Sequence, residues 1–275
     1  MHLWIKRLLV CLAPAALTAG CLGLGASPAA MPRPALDTYE LIENTGLSIS
    51  GCQFQYRVYN PLEPRTPTSV ILGHGFLRDQ DNLVGLSRAL ANSGVRVVTL
   101  DFCNMRPWNG HHERNARDMR TLATKLNLAD DIIFGGFSAG ALAAVLASDN
   151  NTRAILALDL VDQNDLGLRA IRKLATPLIG LSGPASGCNA NNNAAALFQS
   201  RIASSPTVTE AQPLSRLISI DSASHCEFES PSNWLCEIAC GDDDSAASDA
   251  ADRAGIIDQT IDNLFPYLTN TQAEG

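Results

Sequence analysis

Short runs of apolar residues recur along this chain and alternate with segments in which apolar residues return at helical spacing. An unbroken apolar run between turn residues predicts a buried strand, and apolar residues spaced by three and four predict a helix. On this basis, the predicted strands are residues 69–73, 95–100, 132–134, 154–158, 177–181 and 217–220. The predicted helices are residues 82–93, 113–126, 141–147 and 256–268.

The alternation of strands and helices predicts an α/β fold. Strands that are apolar along their whole length are covered on both faces, so we predict a mainly parallel, doubly wound sheet with helices on both faces. Residues 48–59 instead alternate apolar and polar positions, which predicts an initial antiparallel pair or one long strand. Ligands of such sheets bind at the carboxyl ends of the strands, and we therefore search for functional residues at that edge.

The N-terminus has the pattern of an export signal. Lys6 and Arg7 precede an apolar stretch, and small residues lead to Cys21, so residues 1–20 are predicted to be a signal peptide with a lipobox-like end. Cleavage after residues 27–29 is the alternative to lipidation of Cys21. Residues 21–47 are predicted to be a tether and N-terminal extension, and residues 48–275 one domain of this α/β fold. The expected location is periplasmic or extracellular, with possible membrane attachment through Cys21.

The charge of the chain excludes some classes of binding partner. The formal net charge is -8, and charged residues make up only 17% of the 275 residues. An acidic, weakly charged protein is not suited to nucleic acid or to an anionic membrane surface. We therefore expect a neutral or weakly polar small molecule or a lipid-like compound as the substrate, with no metal and no cofactor.

Setting aside Cys11 and the lipidation candidate Cys21, six cysteines remain, an even number that predicts disulfides in an oxidising compartment. The pairings that we consider are Cys188 with Cys226, Cys236 with Cys240, and Cys52 with Cys103. Six cysteines allow 15 connectivities, and the sequence does not choose among them. Zinc binding by Cys226, Cys236, Cys240 and His225 is the alternative, but their spacing matches no common zinc module.

The candidate chemistry begins at residues 136–140, which read Gly-Phe-Ser-Ala-Gly. A strand precedes this Gly-x-Ser-x-Gly motif and a helix follows it, which is the setting of a nucleophile elbow with Ser138 as the nucleophile. A serine hydroxyl needs a base to take its proton. Of five histidines, only His225 follows both the serine and the later predicted strands, in the chain order that this kind of sheet uses.

The acid that orients the histidine is expected just after the strand 154–158. Residues 166–209 contain neither Asp nor Glu, so the usual position after the next strand is empty. Asp159 and Asp162 are the two candidates; Asp159 is favoured because it lies directly at the strand end, and Asp165 is a more distant third. The alternative for either is capping of the following turn.

Two backbone N–H groups are candidates for an oxyanion hole. One belongs to Ala139, directly after the nucleophile, and the second to Phe76 in the Gly-His-Gly-Phe segment that follows the first buried strand. Phe137 and Trp108 are candidates for lining an apolar substrate pocket.

With these pieces in place, the chain resembles the α/β-hydrolase superfamily, and more narrowly its chlorophyllase-like and dienelactone-hydrolase-like branch. The resemblance rests on residues 73–76, 136–140, 158–162 and 224–229 and extends over residues 48–268. It implies an α/β-hydrolase fold and a Ser-His-Asp esterase. A lipase or polyester hydrolase is a second interpretation, and a non-catalytic binding protein with a hydrolase fold is a third.

Overall fold

The computed structural model describes residues 37–48, 50–103, 110–128, 131–203, 215–232, 234–240 and 246–269. The strands are β1 (Tyr39–Leu47), β2 (Gln53–Pro61), β3 (Ser69–Gly73), β4 (Arg96–Leu100), β5 (Ile132–Phe137), β6 (Ala154–Leu158), β7 (Leu178–Ser182) and β8 (Ser215–Ser219). The α-helices are α1 (Val84–Asn92), α2 (His112–Lys125), α3 (Ala139–Ala147), α4 (Leu166–Ile171), α5 (Ala195–Ala203), α6 (Trp234–Cys240) and α7 (Ala246–Leu268). Two 3-10 helices span Gln80–Leu83 and His225–Phe228.

All eight strands belong to one sheet in the order β1-β2-β4-β3-β5-β6-β7-β8. The β1-β2 and β2-β4 pairs are antiparallel, and the other five pairs are parallel. The predicted mainly parallel, doubly wound sheet is therefore confirmed. In the parallel part, the carboxyl ends of β3, β5, β6 and β7 lie at one edge of the sheet.

The sheet begins before residue 48. β1 lies in the stretch that the sequence suggested as an N-terminal extension, and it pairs along its full length with β2. β1 is an edge strand, and most of its side chains are exposed, including Leu41 at 47%. Because β1 buries so little of either face, its sequence has no apolar alternation from which to recognise it.

Alternate side chains of the strands enter two separate apolar clusters, one on each face of the sheet. On β6, for example, Ile155 and Ala157 belong to one cluster, while Leu156 and Leu158 belong to the other. Side chains of α2 to α5 complete the first cluster, and those of α1 and α7 complete the second. Burial of each large apolar side chain contributes about 1.5–3 kcal/mol, so a slip of register along these strands is strongly disfavoured.

Three disulfides connect the six cysteines, as Cys52–Cys103, Cys188–Cys240 and Cys226–Cys236. The first is one of the pairings considered from the sequence; the Cys188–Cys226 and Cys236–Cys240 pairings are wrong. Both of the unexpected bridges end on α6, a helix that was not predicted. Because the cysteines of the zinc alternative are all disulfide-bonded, they have no thiolate to offer a metal.

No helix in the described part of the chain combines the length and apolar character that crossing a bilayer requires. The predicted signal peptide, residues 1–20, and the lipidation candidate Cys21 lie outside the described residues.

Candidate active site

Ser138 occupies the tight turn between β5 and α3, as the motif predicted. Its backbone has φ 53° and ψ −116°, a conformation that residues with a side chain rarely adopt. Such strained residues persist where the surrounding structure fixes them, and they cluster at functional sites. The turn holds Ser138 at the carboxyl edge of the sheet, with 7% of the residue exposed.

The two motif glycines are required by the close approach of backbones around this turn. A Cβ on Gly136 would lie 2.6 Å from the Gly73 carbonyl oxygen, and a Cβ on Gly140 would lie 2.1 Å from the same oxygen. Both distances are far shorter than a van der Waals contact. The absence of side chains at these positions therefore allows the start of α3 to pack directly against the end of β3.

His225 and Asp159 meet in a buried hydrogen bond. The imidazole Nδ1 lies 2.5 Å from Asp159 Oδ2, and the residues are 8% and 0% exposed. Sheet register explains the position of the acid, because Leu158 pairs with Phe137 on one side and with Leu181 on the other. Asp159 and Ser138 thus follow paired residues of neighbouring strands.

Other groups also fix the Asp159 carboxylate. Oδ1 accepts hydrogen bonds from the Gly183 N–H at 3.2 Å and from the Asn189 amide at 3.3 Å. The same amide donates to the Pro184 carbonyl at 2.8 Å, so its orientation is fixed. Asp159 itself has φ 37°, which turns the chain sharply at the strand end. Asn189 was not predicted from the sequence; the feature that could have indicated it is a polar loop that follows a strand at the carboxyl edge of the sheet.

The second candidate acid, Asp162, does not contact His225. Its carboxylate accepts hydrogen bonds from the backbone N–H groups of Gly167 at 2.8 Å and Leu168 at 3.1 Å, at the start of α4. This is the capping arrangement that the sequence analysis gave as the alternative. Asp165, the third candidate, precedes α4 in a left-handed conformation.

Phe137 connects the serine turn to the histidine. Its ring centroid lies 4.6 Å from that of His225, which places the base against the residue before Ser138. Phe137 is only 1% exposed, so it packs against protein and does not line an open pocket as the sequence suggested. Within the described part of the chain, the Ser138 hydroxyl makes no hydrogen bond with His225. Catalytic hydrogen bonds are often loose before substrate binds, and tighten in the complex.

The two predicted oxyanion donors belong to the start of α3 and to the loop after β3. Ala139 is the first residue of α3, so its N–H has no acceptor within the helix and lies at the positive end of the helix dipole. The N–H of Phe76 likewise has no protein acceptor among the described residues. The start of α3 and the loop after β3 therefore each offer one unpaired backbone donor.

His74 holds the loop that carries Phe76. Its Nε2 accepts the Phe102 N–H at 2.9 Å, and its Nδ1 lies 2.8 Å from the Gly75 carbonyl. These partners require a neutral ring with the proton on Nδ1, which donates to Gly75. Burial lowers the pKa of His74, so the ring remains neutral at physiological pH. His74 is thus a structural residue of this loop.

His112, at the start of α2, lies near this edge without having been predicted there. Burial lowers its pKa, and its ring interacts with the Gln163 side chain and the Ala139 backbone. The sequence feature that could have indicated His112 is its position in the segment that follows the carboxyl end of β4. Trp108, the other predicted pocket residue, lies outside the described residues.

Glu227, Glu237 and Asp249 form the one group of potential metal ligands among the described residues, with carboxylate oxygens within 4.8 Å of one another. Arg253 already serves this group as a cation, since its Nη2 lies 2.7 Å from Glu237 and 3.7 Å from Glu227. We assign no metal to it. A separate cavity of about 340 Å³ is lined by Ser69, Arg96 and Asp131 at the opposite edge of the sheet from Ser138.

Comparison with known proteins identifies the fold. No family model and no curated protein matches the sequence. Among solved structures, the esterase domain of a Rhodothermus marinus protein is 15% identical over 80% of this chain and 98% of its own, with a TM-score of 0.55. A serine hydrolase homologue from Coxiella burnetii is 14% identical over 81% of this chain and 97% of its own, with a TM-score of 0.59.

A ferulic acid esterase from Streptomyces cinnamoneus is 15% identical over 90% of this chain and 95% of its own, with a TM-score of 0.57. At these identities the likeness establishes the fold alone. The chain therefore has the α/β-hydrolase fold, as the resemblance implied. These neighbours do not confirm the chlorophyllase-like branch.

Proposed function

We propose that this protein is a serine hydrolase that cleaves carboxylic esters. The observation that carries the proposal is the buried 2.5 Å contact between His225 and Asp159, directly beside the strained turn of Ser138. Nucleophile, base and orienting acid in adjacent positions make up the constellation that activates a serine. That three structural neighbours are named as esterases or a serine hydrolase homologue supports the same reaction class.

In this proposal the Ser138 hydroxyl attacks the ester carbonyl while His225 Nε2 takes its proton. Asp159 accepts the Nδ1–H and stabilises the imidazolium that forms. The N–H groups of Phe76 and Ala139 donate to the oxyanion of the tetrahedral intermediate. The C–O bond then breaks, His225 returns the proton to the departing alcohol, and water releases the acyl group from Ser138 by the same steps.

Hydrolysis of p-nitrophenyl esters tests this proposal. We expect a burst of p-nitrophenol that approaches the enzyme concentration, followed by a slower steady state, because an activated p-nitrophenyl ester acylates the serine faster than water releases the acyl group. Ser138→Ala is expected to abolish both phases. A series of acyl chains from acetate to laurate then defines the size of the acyl site. A folded protein that hydrolyses none of these esters would support the third interpretation, a non-catalytic binding protein.

A lipase or polyester hydrolase is a second candidate, which exposed apolar side chains near the site favour. Trp234 and Ile238 on α6 are 66% and 78% exposed, and α6 is bonded through Cys236 to Cys226, the residue after His225. An enzyme that works at an apolar surface would benefit from such residues. Faster turnover of emulsified tributyrin than of dissolved short-chain esters would favour this candidate over a general esterase.

We further propose that the protein is exported, with residues 1–20 as the signal peptide. Three disulfides support this location, because they persist in oxidising compartments. The substrate is a small or lipid-like ester, and the acidic composition argues against nucleic acid. Incorporation of a labelled fatty acid, and its loss in Cys21→Ala, would distinguish a lipid-anchored form from one released by ordinary cleavage.

A further inference from the structure

An ion pair joins the loop that carries Phe76 to the segment that carries His225. Arg78 Nε lies 2.8 Å from Glu229 Oε2, and the two side chains are only 9% and 0% exposed. Arg78 comes two residues after Phe76, and Glu229 directly follows the 3-10 helix that begins with His225. The pair therefore spans the two segments that supply the proposed oxyanion donor and the proposed base.

Arg78 holds its own loop on both sides of Phe76. Its Cγ lies 3.4 Å from the point that a Cβ on Gly75 would occupy, so the stem of the side chain packs over Gly75. Its Nη1 donates to the Leu77 carbonyl at 3.4 Å. Leu77 has φ 55°, a left-handed conformation that leucine rarely adopts without support.

Backbone contacts next to the pair continue the connection. The Ser230 N–H donates to the Asn82 carbonyl at 2.9 Å, and the Gly85 N–H donates to the Ser230 carbonyl at 2.6 Å. These hydrogen bonds connect Ser230, which follows the 3-10 helix of His225, to the residues around the first 3-10 helix. The Arg78–Glu229 pair is the part of this connection closest in sequence to Phe76.

Stability alone does not explain a charged pair at this place. Removing two charges from water costs several kcal/mol, and apolar replacement of a buried ion pair is often neutral or stabilising. A bond with fixed direction between two loops, in contrast, sets their relative position. In a serine hydrolase that position matters, because an oxyanion donor acts only at hydrogen-bond distance from the developing charge.

We propose that Arg78 and Glu229 are positioning residues, which hold the Phe76 N–H in place relative to His225 and so accelerate acyl transfer without touching the substrate. This inference rests on the proposed function. It predicts that loss of the pair lowers kcat and leaves KM and the folded structure largely unchanged, because the contribution is made to the transition state and not to ground-state binding.

The test uses a double variant, Arg78→Met with Glu229→Gln, which removes both charges together and leaves no unpaired buried charge. Its control is Asp37→Asn, which breaks the ion pair of the same 2.8 Å length with Arg88 at an exposed position, where the side chains are 45% and 49% accessible. The kinetics of p-nitrophenyl acetate hydrolysis are measured per active site, counted from the burst amplitude, so that an unfolded fraction does not lower kcat.

We expect kcat of the double variant to fall by about tenfold to a hundredfold, less than the loss of a whole oxyanion donor, with KM changed by less than about twofold. Arg78→Lys, which keeps the charge but not the planar fork, is expected to retain an intermediate kcat. Asp37→Asn is expected to match the wild type. A double variant with wild-type kcat per site overturns this proposal alone, whereas a wild-type protein without burst or turnover overturns the proposed function.

Discussion

Replacement of Asp159 by asparagine isolates the role of the acid, because the two side chains have nearly the same shape. The carboxylate accepts hydrogen bonds from His225, Gly183 and Asn189, all of which approach it as donors. An amide has one oxygen and one NH2 group, so it cannot accept from all three. If its oxygen remains with Gly183 and Asn189, its NH2 faces His225 Nδ1.

That arrangement makes Nδ1 an acceptor and moves the imidazole proton to Nε2, where the ring cannot take the proton of Ser138. An Asp-to-Asn change of this kind in a serine triad costs about 10⁴ in kcat, which corresponds to about 5 kcal/mol of barrier. Asp162→Asn is the matched control. It weakens a cap made with two backbone N–H groups, and we expect it to cost about 1 kcal/mol of stability and little activity.

The assay is steady-state and burst kinetics with p-nitrophenyl acetate, accompanied by urea unfolding of each variant. We expect Asp159→Asn to lose about four orders of magnitude in kcat and Asp162→Asn to remain near the wild type. Asp159 is not the orienting acid if Asp159→Asn keeps more than about a tenth of the wild-type kcat, or if the two variants lose equal activity while both remain folded.

Three further changes test other parts of the account. Serine at both Cys226 and Cys236 frees the residue after His225 from α6, and is expected to lower the thermal midpoint and reduce kcat; an unchanged kcat would show that the bridge does not position the base. Gly140→Ala places a Cβ against the Gly73 carbonyl and is expected to cost about 3 kcal/mol or more in urea unfolding, so a wild-type midpoint would contradict the backbone approach described. Burial raises the pKa of Glu229 from 4.5 to about 7, so folding favours the protonated carboxyl group. Its contribution to the free energy of unfolding is therefore complete below pH 4.5 and is lost as the pH rises through about 7. Relative to Glu229→Gln, the free energy of unfolding of the wild type should therefore fall between these pH values, by about 3 kcal/mol at most; parallel profiles would contradict the raised pKa.

The sequence predicted those elements in which all residues lie in the same environment. β3 and β6 are buried at every position, so unbroken apolar runs marked them at residues 69–73 and 154–158. α4 and α6 were missed because they have only six and seven residues, too few for a helical period to show. The disulfide connectivity was missed with them, since two of the three bridges end on α6.

The residues of the candidate site also fall into two groups, those that a sequence pattern indicates and those that depend on the three-dimensional structure. The sequence alone indicates Ser138 and His225 as candidates, through a recognisable motif and a required chain order. The choice between Asp159 and Asp162 depended on backbone direction, namely the sharp turn at Asp159 and a cap on an unpredicted helix. The Arg78–Glu229 pair joins residues far apart in sequence, and no local sequence pattern predicts such a contact.

Covalent labelling of Ser138 tests the central claim most directly. The folded protein is incubated with a fluorophosphonate, which reacts with activated serines, and the site is identified by peptide mass spectrometry. We expect one adduct per molecule, located on Ser138, with no adduct in Ser138→Ala and strongly slowed labelling in Asp159→Asn. Folded protein that remains unlabelled, or Ser138→Ala that labels as fast as the wild type, would contradict the account.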